Sequence, residues 1–326
     1  MDELKGLGSA LITPFDANGK VDYYALARLL DTQLTGFVDY LVVLGTTGEA
    51  ATLTTEEKHD VRRFIVNYVK EKSQISNPKS QISNPKSQIS NLKSQISSPL
   101  HGGIEGGLPL VLGVGGNNTA RVVADLKAMQ DGLILDFSAI LSVCPYYNKP
   151  NQEGLYQHFC AIAEASPIPV ILYNVPGRTG VNLLPETVMR IYEAHPDKII
   201  GIKEASGNIA QIKDLIALAD SIPFLVISGD DGIACELMEA GAAGLISVAS
   251  NAFPEDFWHI VHDKDAAMQA KYENMVKLLF AEGNPVGIKA VLAQKGIISN
   301  NLRLPLVPAS RDLTERISAE CVLLSK

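Results

Sequence analysis

A lysine and a tyrosine end two neighbouring apolar runs of the chain, and together they could supply an amine nucleophile and a proton carrier. Lys203 ends the run 199–202, and Tyr173 ends the run 170–172. If both runs are adjacent parallel strands, side-chain alternation places Lys203 on the face of Ile199 and brings the amine near the phenol. An amine in apolar surroundings can attack a carbonyl carbon. The alternative is a lysine that reaches from a strand end into water.

Eight short apolar runs of this kind alternate with segments of helical period. The runs lie at about 8–13, 39–44, 109–114, 138–143, 169–174, 198–203, 223–228 and 243–248. This alternation predicts an α/β protein with a closed (β/α)8 barrel, a TIM barrel, with a doubly wound open sheet as the structural alternative. Residues just after each barrel strand would then form the catalytic face.

The pattern divides the chain into two parts. Residues 1–263 contain the eight strand and helix units, and residues 264–326 continue with helix-like segments beyond the barrel. We therefore expect a C-terminal helical extension, packed on the barrel or on a neighbouring subunit.

A repeat of seven residues interrupts the barrel pattern between 73 and 98. It has one reliable apolar position per repeat, and Pro78 and Pro85 would break a helix, so a coiled coil is excluded. We interpret residues 73–106 as a low-complexity insert between helix two and strand three. An insert there lies on the N-terminal face, away from the catalytic face, and should be dispensable for chemistry.

The composition favours a protein that acts on small molecules. Among 326 residues, 46% are hydrophobic and 20% charged, and the net charge of −8 argues against nucleic acid or an anionic membrane as partner. Without a secretory signal or a membrane-spanning run, we expect a cytoplasmic protein. The four cysteines are widely spaced, which predicts buried free thiols. His259 and His262 are interpreted as a solvated surface pair, and no metal is assigned.

Polar motifs follow several of the predicted strands. A Thr-Thr turn at 45–49 offers hydroxyls and amides that could bind a carboxylate. A pair of adjacent tyrosines lies in the segment 145–150. Three more polar segments follow later strands, at 173–180, 203–207 and 228–231. Each motif alone has an ordinary structural explanation. Their position at the ends of consecutive strands favours one shared site. By contrast, the glycine-rich segment 113–118 lacks the last glycine of a nucleotide loop and is predicted to be a turn after strand three.

In order, spacing and residue identity, these motifs resemble those of the dihydrodipicolinate synthase family. The resemblance covers nearly the whole chain except the insert. The resemblance implies that Lys203 forms a Schiff base with pyruvate, and that the resulting enamine attacks aspartate-semialdehyde. It also implies Tyr173 as general acid/base, with Thr46 and Tyr147 completing a proton relay. A neutral amine is needed for the attack, and apolar burial favours the neutral form of a lysine.

The resemblance extends to substrate binding and assembly. It implies that Thr47 binds the pyruvate carboxylate, that Arg178 binds the semialdehyde carboxylate, and that Gly229 and Ile246 line the site near the lysine. No cofactor is expected beyond the covalent Schiff base. A homotetramer built from tight dimers is implied, with Tyr147 contributed by the adjacent subunit of each dimer.

Two alternatives remain from the sequence. N-acetylneuraminate lyase and 2-keto-3-deoxygluconate aldolase share the lysine and tyrosine, but Arg178 favours a short acidic aldehyde, since a guanidinium matches a carboxylate. The other alternative is a non-catalytic binding barrel.

Regulation by lysine is predicted to be weak or absent. The positions that supply histidines and a glutamate in lysine-inhibited relatives correspond here to Thr55, Lys58 and Arg121. Asn117 and Tyr146, by contrast, match those relatives. Two cations facing a cationic effector are unfavourable.

Overall fold

Eight parallel strands close into a barrel in the computed structural model, which describes residues 1–75, 107–129 and 132–325. Each strand pairs with its neighbour in sequence, and the last pairs with the first. In chain order the strands are β1 Gly6–Ala10, β2 Tyr40–Val43, β3 Leu110–Gly115, β4 Ala139–Val143, β5 Val170–Asn174, β6 Ile199–Glu204, β7 Leu225–Ser228 and β8 Gly244–Ser247.

Helices follow the strands and continue beyond the last of them. Within the described ranges they are α1 Tyr23–Gln33, α2 Thr55–Ile75, α3 Thr119–Ala128, α4 Gln152–Ala165, α5 Pro176–Thr179, α6 Pro185–Ala194, α7 Ile209–Ala219, α8 Ala234–Glu239, α9 Pro254–His262, α10 Ala266–Phe280, α11 Val286–Gln294 and α12 Arg311–Leu324.

Side-chain oxygens cap the N-termini of seven of these helices. Each oxygen accepts a hydrogen bond from a backbone N–H of the first turn, which would otherwise lack a partner, and such a cap contributes about 1 kcal/mol. The capping residues are Asp22 for α1, Thr54 for α2, Asn118 for α3, Asn151 for α4, Asn208 for α7, Asp265 for α10 and Ser310 for α12.

Two apolar clusters make the core. The smaller fills the barrel and includes Leu141, Ile171 and Ile227. The larger lies between the strands and the surrounding helices and includes Leu172 and Ile202. Neighbouring strand residues therefore belong to different clusters, as alternation requires, and both faces of the sheet are buried.

The predicted (β/α)8 barrel with C-terminal helices is confirmed, and the open sheet is excluded by closure of β8 on β1. The first strand begins at Gly6 rather than at 8, and α5 was not predicted. Residues 76–106 of the insert lie outside the described residues, so its predicted role stays a prediction.

The C-terminal helices pack against one another through polar as well as apolar contacts. Asn274 of α10 donates to Glu320 of α12 at 2.5 Å, and Gln294 of α11 donates to Ser318 of α12 at 2.7 Å. Across the described part of the chain, no helix has both the length and the apolar character needed to cross a membrane.

Candidate active site

Lys203 and Tyr173 lie side by side near the carboxyl ends of β6 and β5. They are register partners in the parallel pairing of these strands. Both are buried, with 6% of Lys203 and 8% of Tyr173 exposed. The Lys203 Nζ lies 4.6 Å from the centroid of the Tyr173 ring. The amine is therefore held inside the barrel against the phenol and does not extend into bulk solvent.

A bulge in β6 decides which way Lys203 points. Val170 pairs with Ile199, but the next residue of β5 pairs with Gly201, so β6 contains one extra residue. Ile199 packs in the outer cluster, whereas Ile200 packs inside the barrel. The prediction that Lys203 shares a face with Ile199 is therefore wrong, because simple alternation does not hold across a bulge.

Lys203 and Tyr173 form part of the wall of a cavity of about 410 Å³. This volume is in the range of small-molecule sites. Most of the wall comes from residues in or just after the strands, as a barrel active site requires. The other residues of the wall are Ala10, Val42, Gly45, Thr46, Thr47, Leu141, Val175, Arg178, Ala205, Gly229, Asp230, Gly232, Val248, Val276, Lys277, Phe280 and Asn284.

The turn Thr46–Gly48 follows β2 and contributes two hydroxyls to this wall. Thr46 is exposed, whereas Thr47 is buried. The Oγ1 of Thr47 accepts a hydrogen bond from Nδ2 of Asn284 at 2.9 Å. The predicted proton-relay and carboxylate-binding threonines are thus brought to the same cavity as Lys203.

Left-handed backbone flanks this turn at two residues that are not glycine, Leu44 with φ 58° and Glu49 with φ 49°. Gly113 permits the first of these, because a Cβ there would lie 2.3 Å from the carbonyl oxygen of Leu44. The segment 113–118 was predicted to be a turn, but its first three residues belong to β3. Gly113 is a strand residue whose missing side chain admits the neighbouring loop.

Arg178 reaches the same cavity from the short helix α5, directly after β5. The helix is held by the Arg178 N–H, which donates to the Val175 carbonyl at 2.9 Å. Its side chain is exposed at the mouth. A guanidinium there offers a planar set of donors to an anionic substrate entering the cavity.

The two predicted lining residues differ in their position. Gly229 lines the cavity, and a Cβ there would lie 2.8 Å from Cε of Lys203 and 2.7 Å from Cβ of Ala205. The glycine therefore leaves the space that the lysine occupies. Ile246 is buried in the inner cluster with Tyr173 but does not itself line the cavity.

Tyr147 is the one predicted catalytic residue that does not reach the cavity of its own chain. Its side chain is 87% exposed, and Tyr146 beside it is 44% exposed. The loop is fixed by the Tyr147 N–H, which donates to the Thr179 carbonyl at 3.3 Å, and by Asn148, which donates to the Asn117 carbonyl at 2.9 Å. The phenol is thus presented outward from an anchored loop.

Glu204, next to Lys203, faces the helices and anchors the end of β6. Its carboxylate accepts hydrogen bonds from Asn174 at 3.0 Å, the Ser206 N–H at 2.7 Å and Gln211 at 3.2 Å. Burial raises the pKa of Glu204, while these donors act in the opposite direction. By joining β5, β6 and α7, the carboxylate fixes the backbone that carries Lys203.

Asp231 plays a comparable part between β7 and β8. Its carboxylate accepts hydrogen bonds from the backbone N–H groups of Val248 at 3.0 Å and Ala249 at 3.3 Å. Burial raises the pKa of Asp231 to about 6. The loop after β7, which carries Gly229, is thereby tied to the end of β8.

Sequence reasoning missed the residues that the C-terminal extension brings to the cavity. Val276, Lys277 and Phe280 of α10 and Asn284 after it line the wall opposite the strand ends. Their helical period predicted a helix, but nothing in that period indicates which barrel end the helix covers. Asn284 lies between α10 and α11, where its side chain donates to Thr47.

Titratable groups away from the cavity have local partners. His259 pairs with Asp263 at 2.6 Å, and His262 pairs with Asp39 at 2.7 Å, so these histidines do not face one ligand. Among residues 1–75, 107–129 and 132–325, no group of three histidine, cysteine or acidic side chains could hold a metal ion. All four cysteines are free thiols, as predicted. Cys144 and Cys235 are also buried as predicted, whereas Cys160 and Cys321 are only partly buried.

Comparisons with known proteins point to one family. The model of the dihydrodipicolinate synthetase family matches residues 3–77 and 93–321. The 4-hydroxy-tetrahydrodipicolinate synthase of Parabacteroides distasonis is 44% identical, over 98% of each chain. The dihydrodipicolinate synthase structure from Thermotoga maritima has a TM-score of 0.82 at 35% identity, covering 98% of this chain and 97% of that one. The Acinetobacter baumannii dihydrodipicolinate synthase, solved in complex with pyruvate, has a TM-score of 0.80 at 35% identity and 99% coverage of both chains.

Proposed function

Because the chain belongs to the dihydrodipicolinate synthetase family, we propose that its cavity joins pyruvate to aspartate-semialdehyde through a Schiff base on Lys203. The chain is a lyase with 4-hydroxy-tetrahydrodipicolinate synthase activity, in lysine and diaminopimelate biosynthesis. The similarities support this activity and neither a sugar-acid aldolase nor a non-catalytic barrel. The family resemblance inferred from the sequence motifs is confirmed.

The proposed chemistry begins with attack of the neutral Lys203 amine on the pyruvate ketone, followed by loss of water. The iminium that results withdraws electrons, so the pyruvate methyl group loses a proton and an enamine forms. The enamine carbon then attacks the aldehyde carbon of the semialdehyde. Since the iminium nitrogen accepts the electron pair, the reaction needs no metal or dissociable cofactor.

Proton transfer is assigned to Tyr173, with Thr46 and Tyr147 as its relay. The contact between Nζ of Lys203 and the Tyr173 ring supports the first assignment, and the place of Thr46 on the cavity wall supports the second. A phenol titrates near 10, so it needs hydrogen-bonded neighbours to pass protons at neutral pH.

We assign Tyr147 to the cavity of a neighbouring copy of the chain, in a tight dimer that forms part of a homotetramer. Its 87% exposure on an anchored loop supports this assignment, since an outward phenol can enter a second site only across an interface. A cytoplasmic location completes the proposal. Four free cysteines are compatible with the reducing conditions there.

Substrate carboxylates are assigned to two donors on the cavity wall. Thr47 and the amides of its turn would bind pyruvate, and Arg178 at the mouth would bind the semialdehyde. Gly229 leaves room for the lysine, and Ile246 supports the wall from the inner cluster. Arg178 also disfavours sugar-derived aldehydes, which need hydroxyl-binding groups.

The observation that carries the proposal is the buried amine of Lys203 against Tyr173 in a substrate-sized cavity. The test is borohydride reduction with pyruvate, followed by peptide mapping. We expect one three-carbon adduct per chain on the peptide that contains Lys203, and none in Lys203→Met. Absence of an adduct under conditions that trap a control aldolase would refute the Schiff base. Turnover of aspartate-semialdehyde should exceed that of sugar-derived aldehydes with pyruvate as partner.

A further inference from the structure

A second buried lysine, Lys289 of α11, forms an ion pair that the chemistry above does not use. Its Nζ donates to Oε1 of Glu49 and, at 3.0 Å, to the carbonyl of Asn301. The side chains of Lys289 and Glu49 are 0% and 1% exposed. Neither residue lines the cavity. Burying two charges is unfavourable unless they are well paired, and an apolar pair is often as stable, so this pair calls for another explanation.

Glu49 is the residue that ends the turn Thr46–Gly48. Its backbone is left-handed, with φ 49°, and its N–H donates to the Thr46 carbonyl at 3.1 Å. Leu44, just before the turn, is also left-handed, with φ 58°. Such conformations are unfavourable for residues with a Cβ and persist only where surrounding contacts hold them.

The C-terminal extension supplies those contacts at both carboxylate oxygens. Lys289 binds Oε1 of Glu49, and the backbone N–H of Arg303 donates to Oε2 at 3.1 Å. Arg303 is itself fixed by two hydrogen bonds to Glu57 of α2, at 2.7 and 2.5 Å. Burial lowers the pKa of Lys289 to about 8, and the Glu49 carboxylate acts in the opposite direction. The amine thus depends on Glu49 to stay charged.

We propose that Lys289 is a positioning residue, which acts through Glu49 to hold the Thr46–Gly48 turn in the conformation that receives the pyruvate carboxylate. This inference rests on the proposed function of Thr46 and Thr47. It extends that function, because it assigns part of pyruvate recognition to a residue that touches neither substrate nor cavity. The C-terminal extension then contributes to catalysis as well as to packing.

The test measures the pyruvate concentration that gives half-maximal borohydride trapping, together with KM for the semialdehyde. In Lys289→Met we expect the first to rise at least tenfold and the second to stay within about twofold. Amide hydrogen exchange across residues 45–49 should also accelerate without pyruvate. Lys295→Met is the control, because Lys295 belongs to the same C-terminal extension and its Nζ also donates to a backbone carbonyl, that of Ala252, away from the turn. It should change none of these quantities.

The double variant Lys289→Met/Glu49→Gln separates positioning from stability. It removes the buried unpaired carboxylate, so the free energy of unfolding should recover while the raised pyruvate requirement persists. Recovery of both, or an unchanged pyruvate requirement in folded Lys289→Met, would overturn the proposal. If neither methionine variant folds, Lys289→Arg should still raise the requirement several-fold, and no change there is the contrary result.

Failure of the proposed function gives a different result. The unsubstituted protein would then form no adduct with pyruvate. Hydrogen exchange across residues 45–49 would still report whether Lys289 holds the turn, and equal exchange in Lys289→Met and the unsubstituted protein would overturn the inference on its own.

Discussion

Adding a single methyl group at position 229 should displace the Lys203 side chain and slow its reaction with pyruvate, although the amine itself is unchanged. In Gly229→Ala the new Cβ would lie 2.8 Å from Cε of Lys203 and 2.7 Å from Cβ of Ala205. Gly229 is not among the glycines with left-handed backbone, so the effect is steric and not conformational. The Lys203 side chain must move aside, whereas the Cβ of Ala205, just after β6, is fixed to the backbone and leaves the new methyl group overpacked.

The size of the effect follows from the overlap. Carbon atoms that are not bonded pack at about 3.5 Å, so Cε must move by about 0.7 Å. A displacement of about 1 Å in a reacting group can lower a rate about a hundredfold. We therefore expect adduct formation between Lys203 and pyruvate to slow by about ten- to a hundredfold. Overpacking should also lower the free energy of unfolding by about 1–3 kcal/mol.

The assay is the rate of borohydride-trapped adduct formation, read by intact mass, with unfolding followed in parallel. Gly177→Ala is the matched control, because a Cβ there meets no atom within 4 Å although Gly177 lies beside Arg178. It should leave adduct formation unchanged. A folded Gly229→Ala protein that forms the adduct at the normal rate would refute the steric argument.

Three further predictions concern specificity, pH and regulation. Replacing Arg178 with lysine removes a planar pair of donors, and a hydrogen bond to a charged partner contributes about 1.5–3 kcal/mol. The kcat/KM for the semialdehyde should therefore fall at least tenfold, while trapping of pyruvate is unchanged. Equal losses in both would contradict the assignment. Burial lowers the pKa of His158 from 6.5 to about 4, so the unfolded chain binds more protons between these values. The free energy of unfolding should therefore fall by up to about 3 kcal/mol as the pH drops through that window. Denaturant titrations at several pH values should show that His158→Gln lacks this part of the pH dependence. The same pH dependence in both proteins would exclude His158 as the cause. Millimolar lysine should leave initial rates nearly unchanged because Lys58 and Arg121 repel it, and strong suppression would be the opposite result.

The barrel and the chemistry of its face could be predicted because their signals are local. Apolar runs of strand length recur eight times, and Asn118, Asn151 and Asn208 mark the starts of helices by the type of their side chains. Since all parallel strands end at one face, residues after different strands fall together without knowledge of the packing. That is why Lys203 and Tyr173 could be paired before any coordinates.

The remainder depends on contacts between distant parts of the chain. Lys289 and Glu49 are 240 positions apart, and neither position in the sequence indicates the other. Asn284 reaches Thr47 because α10, which precedes it, contributes to the wall of the same cavity. The exposure of Tyr147 likewise has no local signal, since an aromatic residue in a loop can pack inward or point outward.

The bulge in β6 allows the strand to lose one residue without turning Lys203 away from the cavity. Removing Ile200 would leave a regular strand in which Gly201 still pairs with Ile171 and Lys203 with Tyr173, so the amine would stay on the inner face. An in-frame loss of this one codon should therefore still complement in a genetic screen, whereas loss of the Lys203 codon should not.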